Sequence, residues 1–161
     1  MTQKTNEILT KDLNEKGILR LTLDDPGTKN PLSEIMMDNL FSEIDTASTD
    51  KKVKVIVIGS TGDVFCSGHD LKELKEANDT NKDKELFYLN LFQKCSKLMQ
   101  LIVNCPKPII AEVGGIATAA GCQLVASCDL AISSECAKFA TPGVNIGLFC
   151  STPMVSLSRN V

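Results

Sequence analysis

Two stretches of this sequence combine reactive residue types with a spacing that exposes the main chain. The first, Phe65-Cys66-Ser67-Gly68-His69-Asp70-Leu71-Lys72-Glu73-Leu74, holds the only histidine, His69, between a glycine and an aspartate. Gly68 permits a sharp turn, Asp70 can accept from the first amides of a helix, and Glu73 three residues on completes a D-x-x-E form of the capping box. The second, Gly114-Gly115-Ile116-Ala117-Thr118-Ala119-Ala120-Gly121-Cys122-Gln123-Leu124, is built of small residues that let two backbones approach. Its glycine spacing fits neither the G-x-G-x-x-G fingerprint nor a P-loop. Each stretch reads as a turn that opens a helix, where amide N–H groups lack partners and the helix dipole is positive. Two such turns, brought together, would make an anion hole for an oxygen that gains charge.

Both turns need elements to position them. Ile8 to Asn14 and Gly17 to Leu23 alternate apolar and polar residues about a polar turn, as a half-buried hairpin does. Met36, Leu40, Ile44 and Ala47 recur at helical spacing, with Ser33 as N-cap and Asp50 past the end. Val53 to Ile58 is a β-branched run suited to a strand covered on both faces. Leu86 to Val103 predicts a long helix stopped by Pro106 and Pro108, and Asn78 to Lys84 a surface loop before it. Further buried strands are expected at Ile109 to Val113 and Leu130 to Ser133, with the Gly/Ala segment between them turning directly into a helix. Covered strands alternating with helices indicate an α/β fold, and the chain lacks a linker, so residues 1–161 read as one domain. Ser151 to Val161 opens an amphipathic helix with no stop signal, which predicts a core that is incomplete at its C-terminus.

Composition excludes several classes. The net charge is −3, so no overall basic field is available for nucleic acid or an anionic membrane. No apolar run is long enough to cross a bilayer. Six charged residues (Lys107, Glu112, Asp129, Glu135, Lys138, Arg159) lie beyond residue 100, so that part reads as core and site. The seven cysteines form no C-x-x-C pair and are expected to be reduced thiols; with a single histidine, no metal site is expected. Cys122 and Cys150, near the second turn, read as inert buried thiols rather than nucleophiles.

The Asp25 to Leu32 loop, Phe65 to Leu71, Lys107-Pro108-Ile109-Ile110-Ala111, Gly115 to Leu124, Cys128-Asp129-Leu130-Ala131 and Phe139 to Gly147 together resemble the crotonase, or enoyl-CoA hydratase/isomerase, superfamily. The resemblance implies a crotonase-like α/β fold, a ββα spiral core with a C-terminal helical region beyond this chain. It implies an acyl-CoA thioester as ligand and no separate cofactor, since coenzyme A belongs to the ligand. It also implies assembly into trimers or pairs of trimers, and a role in fatty-acid metabolism. Carried over by motif, the main-chain N–H groups of His69 and Ala120 would polarise the thioester carbonyl. Lys72 and Lys29 would meet the CoA phosphates, although either could be a solvated surface charge.

The departures matter as much. Standard hydratases of this family place glutamates at the positions of Gln123 and Gly143, and neither carboxylate is here. Glutamine orients water but exchanges no proton near neutral pH, and glycine has no side chain. Two-glutamate hydration is therefore disfavoured, which leaves an enzyme of altered chemistry or an acyl-CoA-binding protein without turnover. The imidazole of His69 has the pKa for a base, with a structural role as the alternative. Glu112, in a strand position that is usually apolar, reads as a surface or subunit contact. With no transit segment visible, the cytoplasm is the expected compartment and the mitochondrial matrix the alternative.

Overall fold

Asn14 closes the expected hairpin: its Oδ1 accepts from the N–H groups of Lys16 and Ile18, each at 3.0 Å, and Gly17 takes the left-handed turn at φ +85°. The computed structural model describes residues 3–6, 8–80, 83–147 and 149–160, with backbone only for 3–6 and 146. The hairpin strands are β2 (Leu9–Leu13) and β3 (Ile18–Leu23), preceded by β1 (Gln3–Asn6). α1 (Glu34–Thr49) starts where Ser33 predicts, its Oγ accepting from Met36 N at 3.2 Å. Then follow β4 (Val55–Ser60), β5 (Val64–Cys66), α2 (Leu71–Asp79), α3 (Lys84–Val103), β6 (Ile109–Val113), β7 (Ile116–Thr118), α4 (Ala120–Ser127), β8 (Leu130–Ser133) and β9 (Lys138–Ala140). A 3₁₀ turn at Pro142–Ile146 and α5 (Ser151–Asn160) end the described chain.

The strands form two sheets: six in the order β1-β2-β3-β4-β6-β8, and three short ones in the order β5-β7-β9. From β3 onward the larger sheet is parallel, and the small sheet is parallel throughout. Leu21, Leu23, Ile56 and Ile58 join Met36, Leu40 and Ile44 of α1 and Leu98 and Ile102 of α3 in one core. Each such side chain contributes roughly 1.5–3 kcal/mol when fully buried. The α/β expectation holds.

Four sequence expectations need correction. The small sheet was not foreseen, because three-residue strands are too short to show a period, and β7 separates the glycines from the helix they were expected to open. β8 is exposed along its whole length, with Leu130 at 61% and Ile132 at 63%, since it is an edge strand of the larger sheet. Asn78 and Asp79 belong to α2 and Lys84 to α3; residues 81–82 lie outside the described chain. Glu73 closes no capping box with Asp70. Its carboxylate instead accepts from the N–H of Glu34, at 3.1 and 3.3 Å, and so caps α1 from α2. Asp70 does cap α2, accepting from Lys72 N at 2.8 Å.

The small sheet meets α4 through glycine. A Cβ on Gly121, in the first turn of α4, would overlap the carbonyl oxygen of Cys66 at the end of β5. Gly121→Ala would stabilise an isolated helix by about 1 kcal/mol. Here we expect it to destabilise the protein by about 1–3 kcal/mol, the usual range for overpacking, as read from urea unfolding. A gain in stability would contradict the close approach.

Candidate functional site

The loop between β3 and α1 wraps around one buried amide. Asn30 is fully buried at φ +50°; its Oδ1 accepts from Asp25 N at 2.7 Å, and its Nδ2 donates to the carbonyls of Thr61 and Val64 at 2.8 Å. It ties the loop to the segment that leads into β5. The first candidate turn is then held by this loop: Ser67 N donates to Lys29 O at 3.2 Å and Leu32 N to Gly68 O at 2.7 Å. With the Glu73 cap on α1, residues 29–34 and 67–73 are joined at three points.

The second turn meets the first. Thr118 Oγ1 donates to Ser67 O at 3.0 Å, and Ala119 N donates to Ala140 O of β9 at 2.9 Å. Ala119 sits at φ +51°, an uncommon conformation for a residue with a side chain, which directs the chain into α4. Gly68, at φ +94°, abuts this turn: a Cβ there would lie 3.0 Å from Ala119 Cβ and 3.3 Å from Ala120 N. The segments bearing the His69 and Ala120 amides are thus in contact. Neither N–H donates to another group among the described residues. For Ala120 this follows from its place as the first residue of α4.

The His69 ring lies edge-on to Phe92 of α3, with centroids 5.4 Å apart and planes at 87°. Both ring nitrogens are buried and have no hydrogen-bond partner among the described residues. Burial holds the imidazole below its ordinary pKa, and the nearby Leu32 main chain, which makes no hydrogen bond to the ring, offsets this only in part. The ring is therefore neutral at pH 7. On the loop side, His69, Lys29 and Lys72 line one groove of about 320 Å³ together with Thr28 and Ser67. Lys29 also pairs with Asp63 at 3.2 Å, an exposed contact worth little in water.

Gln123 lies one turn into α4, buried, with its Oε1 enclosed and accepting from nothing among the described residues. It forms part of the wall of a second cavity, of about 470 Å³, between α3, α4 and α5, whose other end of the α3 wall includes Phe92. His69 and Gln123 thus carry enclosed polar atoms beside two cavities, with Phe92 of the second packed on the His69 ring. Gly143 is buried in the 3₁₀ turn and lines neither cavity. Burial raises the Cys66 thiol to about 12 and the Cys95 thiol to about 11, and raises that of Cys122, so these remain protonated and weakly nucleophilic. Glu112 is on the surface, ion-paired with Arg20 across the glycine-bearing strand β4, and that pairing lowers its carboxyl pKa. No group of metal ligands occurs among the described residues, and no described helix is long and apolar enough to cross a membrane.

Sequence reasoning passed over three contributors. Asn30 carried a signal, because asparagine is among the few residues that readily take positive φ. Phe92 and the Glu73-to-Glu34 cap had none, since each depends on a contact between distant segments.

The profile of the family described as enoyl-CoA hydratase/isomerase matches residues 14–160. The mouse protein named enoyl-CoA hydratase domain-containing protein 3, mitochondrial, is 50% identical over 153 residues, covering 95% of this chain and 49% of that protein. The human protein of the same name is 51% identical over 145 residues, covering 90% and 46%. The crystal structure of the human protein matches with TM-score 0.85 at 48% identity, over 94% of this chain and 58% of that one. An enoyl-CoA hydratase from Mycobacterium smegmatis matches with TM-score 0.89 at 46% identity, over 97% and 59%. The chain spans about half the length of the curated relatives it matches. With this match and the crotonase fold it carries, the chain belongs to the enoyl-CoA hydratase/isomerase family.

Proposed function

We propose that this protein binds an acyl-CoA thioester and polarises its carbonyl oxygen between the main-chain N–H groups of His69 and Ala120. The observation that carries the reading is the contact between the Gly68–His69 and Ala119–Ala120 turns, with both N–H groups left without acceptors. Donors fixed in the backbone need no reorganisation as charge builds on the oxygen, and one such donor is worth about 10²- to 10³-fold in rate. The groove of Lys29 and Lys72 suits the phosphates of coenzyme A, and the cavity beyond Gln123 suits the acyl chain.

Proton transfer is where this protein parts from a standard hydratase. Each carboxylate role is worth about 10²- to 10⁴-fold, and Gln123 and Gly143 supply neither. We infer thioester binding and enolate stabilisation with weak or no hydration; the missing carboxylates favour binding without turnover as the second reading. The imidazole of His69 belongs to the residue that supplies one of the amides, and its burial against Phe92 lowers its pKa and weakens it as a base. The relatives named mitochondrial favour that compartment over the cytoplasm. Self-association as a trimer or pair of trimers, in lipid metabolism, completes the proposal, supported by the bare edge strand β8.

Three measurements test this. A CoA thioether, identical to a saturated acyl-CoA but lacking the carbonyl oxygen, should bind about tenfold more weakly than the thioester, as expected for two net hydrogen bonds. Equal affinities by calorimetry would remove the amide pair from the site. Wild-type hydration of crotonyl-CoA should not exceed that of Gln123→Ala, whereas Gln123→Glu should raise it about 10²-fold; no gain would place Gln123 away from the substrate. His69 titrates below its unfolded value of 6.5, so the unfolded chain takes up the proton first and stability falls as pH drops through about 6.5. Urea unfolding from pH 7.5 to 5.5 should show wild type losing more stability than His69→Gln; parallel curves would contradict the burial of the ring.

A further inference from the structure

We propose that the cavity beyond Gln123 selects an acyl chain ending in a carboxylate, with Arg159 as the group that recognises it. This rests on the thioester reading and adds the chemistry of the tail. The cavity has a direction. Its α3 wall runs from Phe92, against His69, to Asn104, twelve residues or about 18 Å along the helix axis. α4 runs the same way: its first residue abuts Gly68, and Asp129, just past its end, accepts from the N–H of Ile109, shortly after α3 ends. The C-terminal half of α5 lies against the C-terminal half of α4. Ser156 Oγ is 3.5 Å from Ser127 Oγ, and Asn160 Nδ2 donates to Ala126 O at 2.9 Å. Arg159 therefore lines the end of the cavity away from the His69 turn.

That end is poorly suited to a methyl group. Gln100, Asn104 and Asn160 line it beside Arg159. Asn160 Nδ2 spends both its hydrogens on main-chain carbonyls, and Asn104 Nδ2 and Gln100 Nε2 each spend one, on Gln100 O and Ser96 Oγ, which leaves the guanidinium as the one charged donor. Arg159 is the only charged residue of the described lining, and it has no carboxylate partner among the described residues. Its place in the last turn of α5 complements the helix dipole, and the same placement puts a forked, permanently charged and exposed donor in the lining. Gln123, on the α4 wall nearer the His69 turn, carries a second polar atom, the enclosed Oε1, without a hydrogen-bond partner among the described residues. The α3 wall, roughly 18 Å long by helix rise, fits a chain of medium length.

The test compares suberyl-CoA with octanoyl-CoA, which differ only at the tail, for binding to the full-length protein by calorimetry. Suberyl-CoA should bind about three- to tenfold more tightly at low salt, the range for a partly exposed bidentate ion pair. The preference should shrink as salt is raised. Arg159→Gln should bring the ratio of the two affinities to near one, and Arg159→Lys should restore part of it. Octanoyl-CoA binding as tightly as suberyl-CoA, or a ratio untouched by Arg159→Gln, overturns the tail assignment alone. Binding of neither ligand overturns the thioester reading and this inference with it.

Discussion

The site depends on two backbones being allowed to touch. Gly121 lies against the carbonyl of Cys66, and Gly68 against the turn at Ala119 and Ala120. Any side chain at either glycine would push the end of β5 away from the start of α4, and with it one amide from the other. Packing densities inside proteins are high enough that such a displacement is not absorbed nearby. The small β5-β7-β9 sheet brings the two turns side by side: β5 and β7 pair with Cys66 opposite Ala117, each two residues before its turn.

Around that contact the molecule is held by main-chain and buried polar bonds rather than by charges. Asn30 closes one loop with three hydrogen bonds, and the cap from Glu73 to Glu34 joins the starts of two helices. The ion pairs are peripheral: Lys29–Asp63 is exposed, and Arg20–Glu112 sits on the outer face of the sheet. Burial of the Glu73 carboxyl raises its pKa although Glu34 N–H donates to it. That opposition marks the cap as a contact kept for geometry more than for charge.

What was legible in the sequence divides by range. Alternation revealed the hairpin and helical spacing α1, while unbroken apolar runs revealed β4 and β6, and the length of the segment before Pro106 revealed α3. Local chemistry revealed the Ser33 and Asp70 caps, and the glycine-rich turns were readable as close approaches. The three-residue strands left no period, and the apolar Leu130-Ala131-Ile132 run of β8 concealed that it lies at an edge. Glu73 showed the limit of a local motif: its spacing from Asp70 fits a capping box, yet a different helix, 39 residues away, takes the carboxylate. At the site, the residue types and the two turns were legible, whereas the pairing of His69 with Phe92 and the alignment of α5 on α4 required the folded chain.

β8 leaves the larger sheet with an open rim: among the described residues no strand pairs with its far side, and Leu130 and Ile132 face water. A row of unclaimed peptide groups is a template that welcomes any extended segment it encounters.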